Sequence, residues 1–497
     1  MKVAVFALAF ALFFALAPSA PPAGEAATIA ASARALVTGR LDVADAGDGR
    51  MLPSTVVHAG QRRATTALGA IVALAPAEAA ARLIARLLPA PTAPTPTTAA
   101  KPGATIATID WAARITQLAE SATAALLAAL VCVLFFARLT RDGLSPRAAL
   151  AFTAVLAFAT PLCWSARVAD GTALATLLLL VAYEAARRFV ADAASGSAWT
   201  LGLALGALVV VEPTLLLAAL GIVAWCGVHR HAPIDRAAAW RIVVPLVAGI
   251  AIVLAHRRWV GAHPTVTGDL VQGLDGLILS TGKSLWLYAP PLFLLPPALV
   301  WLWRTRRAEA QLVLVVTAAV LVAAAHLADW HGDPTWGPRR ALPLTPLLLA
   351  VVARAYVARP RPRLLALLVA AGLWVQVVGL AIAPPLYAGV VDEVRVGSGA
   401  PSWFALAPDE CHFMPQFSPI VGHSWLLSHL VRGDRHLDVN PPYQLLVATP
   451  VKLDDVFPRL HIDWCARDWP LPVTVLWLTL WAAIATVAAW TLRRRIV

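Results

Sequence analysis

Acids and cations that could cooperate are spread over four stretches of this chain. Glu25 and Asp170 are the acids. The cations are Arg257, Arg258 and Lys283 within HRRWVGAHPTVTGDLVQGLDGLILSTGKSLWLY (256–288), and Arg339 and Arg340, with His331, within DWHGDPTWGPRR (329–340). A carboxylate can take the proton of an attacking hydroxyl. Arginine and lysine can grip a phosphate and stabilise the charge that develops as it leaves. Gathered in one place, these groups suit transfer from an anionic donor to a hydroxyl acceptor.

Each residue also has a plainer explanation. Glu25 fits the first turn of a helix starting near Ala26, where carboxylates are favoured. Asp170 fits a turn or cap before Gly171. Arg339 and Arg340 fit interfacial anchors at the end of an apolar span, but outward-facing loops disfavour basic residues. That bias points them, and Lys283, towards a ligand. Gly282-Lys283-Ser284 ends like a phosphate loop, yet Gly276 stands one residue too far upstream for G-x-x-x-x-G-K-[ST]. Nucleotide binding is therefore excluded, while a glycine turn with a lysine at a helix start still suits a single phosphate. Asp45 and Asp48 lie in VADAGDGR, which lacks the spacing and closing glutamate of a calcium loop and reads as a solvated turn. No Cys/His pattern suggests zinc.

The elements that must position these residues are membrane spans. The chain has 497 residues, 59% of them hydrophobic, with a mean hydropathy of +0.72. That is more apolar than an ordinary soluble domain. Blocks near the roughly 20 residues of a transmembrane helix fall at 3–20, 119–137, 148–165, 171–189, 241–256, 284–303, 310–328, 341–357, 364–386 and 471–492. Arginine clusters mark every second connection: Arg138/Arg141/Arg147, Arg187/Arg188, Arg230/Arg236/Arg241, Arg304/Arg306/Arg307, Arg354/Arg359/Arg361/Arg363 and Arg493/Arg494/Arg495. Basic loops stay cytoplasmic, so both termini are expected inside and the candidate site outside. The net charge of +12 is spent at span ends and forms no basic domain, which excludes a nucleic-acid partner. The expected architecture is an all-α polytopic membrane protein of about 10–12 transmembrane helices.

Four regions follow: 1–118, the first span and a large outer loop; 119–390, a transmembrane core; 391–470, an outer loop or lid; and 471–497, the last span and a basic cytoplasmic tail. The first block begins with Lys2 and ends in Ala-Pro-Ser-Ala at 17–20. It reads as an uncleaved span, with a signal peptide as the alternative. Helices are expected at 26–37 and 62–88, and an extended Pro/Thr/Ala linker at 89–104. Residues 199–226 are flanked by arginines on both sides but are too few for two ordinary spans. A re-entrant pair of half-helices broken at Glu212-Pro213 reconciles length and charge. An intramembrane Glu212 is then a functional candidate, or else a turn residue paired with an arginine. Cys411 and Cys465 share an outer loop and could pair in an oxidising compartment.

Several of these stretches resemble bacterial members of the C-type superfamily of integral-membrane glycosyltransferases. The most specific are GLDGLILSTGKSLWLYAPPLFLLPPAL and, one span later, DWHGDPTWGPRRALPLTPLLLA. GEAATIAASARALVTGRLDV is similar to their first outer loop, SARVADGTALATLLLLVAYEAARR to their second acidic turn, and LGLALGALVVVEPTLLLAALGIVAW to their broken hairpin. The resemblance implies a polyprenyl-phosphate sugar donor, a glycan, lipid or protein acceptor, and inverting transfer at the periplasmic face of a bacterial inner membrane. It implies Glu25 as base and Asp170 as a second carboxylate orienting the acceptor or a divalent cation. Lys283, Arg339 and Arg340, with Arg257, Arg258 and His331, would bind the substrate. Two departures stand out. The family's Asp-Glu pair after the first span is here Gly24-Glu25, and the Arg that often precedes the hairpin proline is here Glu212. A binder of lipid-linked sugars that no longer catalyses, or a transporter, is the rival reading. A transporter would carry broken helices in two repeated halves, and this chain has one such segment.

Overall fold

The structure is a computed structural model describing residues 1–18, 24–43, 54–58, 61–87, 111–192, 195–230, 235–261, 267–332, 335–382, 387, 410–432, 436–440, 445–452 and 471–496. The Asp45/Asp48 turn, the 89–104 linker, Cys465 with its expected pairing, and most of the 391–470 lid lie outside the described residues. Helix makes up 82% of the structure and strand 3%, so the architecture is all-α and polytopic, as the apolar rhythm requires. Among the described residues, six helices are long and apolar enough to cross a membrane.

The helices are α1 (Lys2–Ala15), α2 (Gly24–Val37), α3 (Leu68–Leu87), α4 (Trp111–Arg141), α5 (Pro146–Phe158), α6 (Leu162–Ser165), α7 (Thr172–Asp192), α8 (Ser195–Val211), α9 (Leu216–His229) and α10 (Arg236–Val260). They continue with α11 (Leu270–Ile278), α12 (Leu285–Tyr288), α13 (Leu295–Thr305), α14 (Arg307–Ala325), α15 (Thr345–Ala358), α16 (Pro362–Ala381), α17 (Pro419–Arg432) and α18 (Leu471–Ile496). Most expected spans are recovered with shifted ends. The 284–303 block is instead divided into α12, a 3-10 turn at Pro290–Leu294 and α13. Four prolines (Pro290, Pro291, Pro296 and Pro297) explain the division, because each removes a backbone donor. The 341–357 block opens as a 3-10 turn, Arg339–Leu344, before α15.

A hairpin of β1 (Thr55–His58) and β2 (Gln61–Ala64) corrects the helix expected from residue 62. The alternation Thr-Val-Val-His is too short to announce a strand. Its packing partner is remote: Arg63 donates to the Trp259 carbonyl and stacks 4.5 Å over the Trp259 ring. A second hairpin, β3 (His436–Asn440) and β4 (Leu445–Lys452), lies within the region expected to be an outer loop or lid.

Helices α8 and α9 break at Glu212-Pro213 as the sequence requires. With 17 residues, α8 is about 25 Å long at 1.5 Å per residue, close to the thickness of a hydrocarbon core. It packs against α10 through glycines: a Cβ on Gly206 would stand 2.3 Å from the Pro245 carbonyl oxygen, and one on Gly249 2.5 Å from that of Gly206.

Charged residues gather at two ends of α7. Near its C-terminus, the Glu309 carboxylate accepts from Arg138 at 2.8 Å and Arg354 at 2.7 Å. Arg187 pairs with Asp142 at 3.1 Å and Glu184 at 3.2 Å. These arginines were expected only to anchor topology. Arg138 and Arg354 are instead buried among acids. Near the N-terminus of α7, about 22 Å away along the helix, lies the candidate site.

Candidate active site

Arg339 joins the two acids singled out from sequence. It opens the turn before α15 and is buried. Its Nη1 donates to Glu25 Oε2 at 2.5 Å, and its Nε lies 3.3 Å from Asp170 Oδ2. The same guanidinium donates to the Asp170 carbonyl at 3.0 Å and to Thr172 Oγ1 at 3.2 Å. Three segments, more than 300 residues apart in the case of Glu25 and Arg339, therefore converge on one side chain. The plainer local explanations hold as well. Glu25 stands in the first turn of α2, and Asp170 Oδ1 accepts from the Thr172 amide at 2.9 Å, starting α7 with an Asx-type turn.

The two acids are tuned in opposite directions. Burial by itself would raise Glu25, but the Arg339 and Arg340 charges and the Arg339 hydrogen bond outweigh it and hold the carboxyl below its ordinary value. At Asp170 burial wins over Arg339 and Thr172, and the carboxyl sits above its ordinary value.

Arg340 turns the other way. It pairs with Glu212 at 3.5 Å and with Asp329. The hairpin tip thus joins the Glu25 cluster, and Glu212 takes the role of a turn residue paired with arginine. Thr214 Oγ1 also donates to Glu212 Oε1 at 2.6 Å.

A cavity of about 230 Å³ opens beside these pairs. Glu25, Glu212, Asp329, Arg340, Arg257 and His256 line it, together with Thr65, Thr66 and the start of α3. Asp170 and Arg339 lie behind this wall, in a separate small cavity with Trp336. Sequence reasoning missed Asp329, His256 and Thr66 as members. Asp329 begins the DWHGDPTWGPRR motif and was findable there, whereas Thr66 follows an unforeseen hairpin and gave no signal.

The other expected ligands stand elsewhere. Lys283 is buried, and its Nζ donates to the Thr335 carbonyl at 2.8 Å and the Gly337 carbonyl at 3.4 Å. It ties the GKS turn to the loop that delivers Arg339 and does not line the Glu25 cavity. His331 packs against Trp330 and His412, with ring centroids 5.6 Å and 5.0 Å away. Arg258 is exposed near the end of α10 and does not line the cavity, while Arg257 beside it does. The Arg339 guanidinium fills the space in which a divalent cation would bridge Glu25 and Asp170. Among the described residues, no group of three or more His, Cys, Asp or Glu side chains is arranged to hold a metal ion. The donor set does not fit the cation considered from sequence.

No protein-family model matches the chain, and no curated protein matches it. Among solved structures it is similar to ArnT from Cupriavidus metallidurans bound to undecaprenyl phosphate, with 13% identity, 87% of this chain and 72% of that chain covered, and a TM-score of 0.47. The apo state of ArnT gives 14% identity, 86% and 68% coverage and a TM-score of 0.45.

Proposed function

We propose that the chain is a bacterial inner-membrane glycosyltransferase that moves a sugar from a polyprenyl-phosphate donor to a hydroxyl acceptor, with inversion, at the periplasmic face. The observation that carries this reading is the junction of Glu25 and Asp170 on Arg339, beside a cavity that also exposes Arg340 and Arg257. The acceptor oxygen attacks the anomeric carbon, and its proton passes to Glu25, which is ionised and faces the cavity. The bond from the anomeric carbon to the phosphate oxygen breaks. The electron pair goes to that oxygen, and polyprenyl phosphate leaves. Arg340 and Arg257 neutralise the charge it carries. Asp170 is a positioning residue: it fixes Arg339, which aims Glu25.

With Gly24 in place of the aspartate of the family that the sequence resembles, Glu25 alone stands as the base. Gly24 opens α2 with φ +60, a conformation glycine enters freely.

The test is transfer and binding by the purified protein with polyprenyl-phosphate sugars. The wild type should release polyprenyl phosphate, and Glu25→Gln and Asp170→Asn should abolish release without loss of expression. Binding without release in the wild type would favour the non-catalytic binder. Full activity in both variants would remove this mechanism.

A further inference from the structure

The cavity contains its own anions where the proposed donor brings another. Arg340 is the cation at its centre, and both terminal nitrogens are committed, Nη1 to Glu212 and Nη2 to Asp329. Its Nε is buried with no hydrogen-bond partner among the described residues, and the same is true of Thr66 Oγ1 on the facing wall, where Thr66 is only 3% exposed. A guanidinium offers five N–H donors and a hydroxyl one more, so two donors of this cavity stand unused. Arg257 and His256 add further donors on the α10 side. Buried polar atoms left without partners are costly, and a tetrahedral anion would supply acceptors for both.

Glu212 and Asp329 differ from Glu25 in how firmly they are held. Their side chains are 22% and 46% exposed, against 17% for Glu25, and Asp329 can turn into water at little cost. Glu212 retains its Thr214 bond when Arg340 is withdrawn.

We propose that Glu212 and Asp329 are resident competitors for Arg340, occupying the phosphate subsite of the empty cavity and yielding the guanidinium when a lipid-linked phosphate enters. This rests on the transferase reading, because it takes the phosphate of that donor as the ligand. The entering phosphate takes over Arg340, fills the vacant Nε and Thr66 donors, and repels both carboxylates outward. Affinity for the donor is thereby lowered and the release of polyprenyl phosphate after transfer eased.

The experiment measures binding of undecaprenyl phosphate to the full chain in nanodiscs. Removing a competing charge while keeping shape should tighten binding, so Glu212→Gln and Asp329→Asn should each bind about three- to tenfold more tightly than wild type, a shift of the size one partly exposed ion pair carries. Arg340→Gln should bind at least about tenfold more weakly. Unchanged or weaker binding in both acid variants, with Arg340→Gln still impaired, overturns the inference and leaves the transferase reading standing, since the acids would then build the site. No binding by the wild type overturns both. If Glu212→Gln fails to fold, Asp329→Asn decides, because that side chain lies at the exposed rim.

Discussion

Arg339 carries more of the site than any other residue, and in a different capacity from the one its motif suggested. The sequence points to a phosphate ligand. The structure gives its donors to Glu25, Asp170 and Thr172. Removing one member of a buried pair strands the others, at a cost of about 3–5 kcal/mol. Arg339→Ala should therefore lower stability by that order and abolish transfer, as read by thermal unfolding and product release. Arg339→Lys should keep the fold better but lose most activity, because one ammonium cannot reproduce a planar fork. The pH dependence follows from the opposite shifts of the two acids. Asp170, raised by burial, gains its proton first as pH falls, while Glu25 stays ionised to lower pH. The acid limb of the rate profile should thus lie above the usual aspartate value of about 3.9. For stability the signs oppose. The Glu25 contribution is present above its unfolded value and lost as pH falls through its lowered folded value. The Asp170 shift favours the fold at low pH, and that share is lost as pH rises through its raised folded value.

At the scale of elements, the tip of the α8–α9 hairpin holds Glu212 in place, and the α8–α10 glycine contact sets how far that tip reaches. Gly206→Ala would press a methyl into the Pro245 carbonyl. The expected cost is about 1–3 kcal/mol, together with tighter undecaprenyl phosphate binding as Glu212 and Arg340 separate. Normal stability and affinity in this variant would show that the contact does not set the tip. Much of this level was legible in the sequence. Span-length apolar blocks, the arginine alternation and Glu212-Pro213 located most helices and the break. The proline-split 284–303 block and the β1–β2 hairpin were not. Hydropathy is blind to missing backbone donors, and a four-residue strand owes its stability to remote partners such as Trp259.

Across the whole molecule, α7 connects two ionic clusters of different character. One end ties Arg138, Arg187 and Arg354 to Asp142, Glu184 and Glu309. The other end, at Glu25, Glu212 and Arg340, lines a cavity. Glu309→Gln should cost about 3–5 kcal/mol, because it removes the acid that Arg138 and Arg354 share, while undecaprenyl phosphate affinity of the folded fraction stays unchanged. The candidate residues themselves could be named from sequence because their types and sidedness are local properties. Their partition could not. That Arg339 faces inward to acids, Arg340 outward to a cavity and Lys283 to backbone carbonyls depends on packing between segments hundreds of residues apart. The most direct measurement is therefore a structure of the chain with undecaprenyl phosphate bound. The phosphate is expected within hydrogen-bonding distance, about 3 Å, of Arg340 in the cavity lined by Glu25 and Arg257, with Arg339 still on Glu25 and Asp170. A phosphate held instead at Lys283, or on the Arg138–Glu309 side of the bundle, would contradict the account.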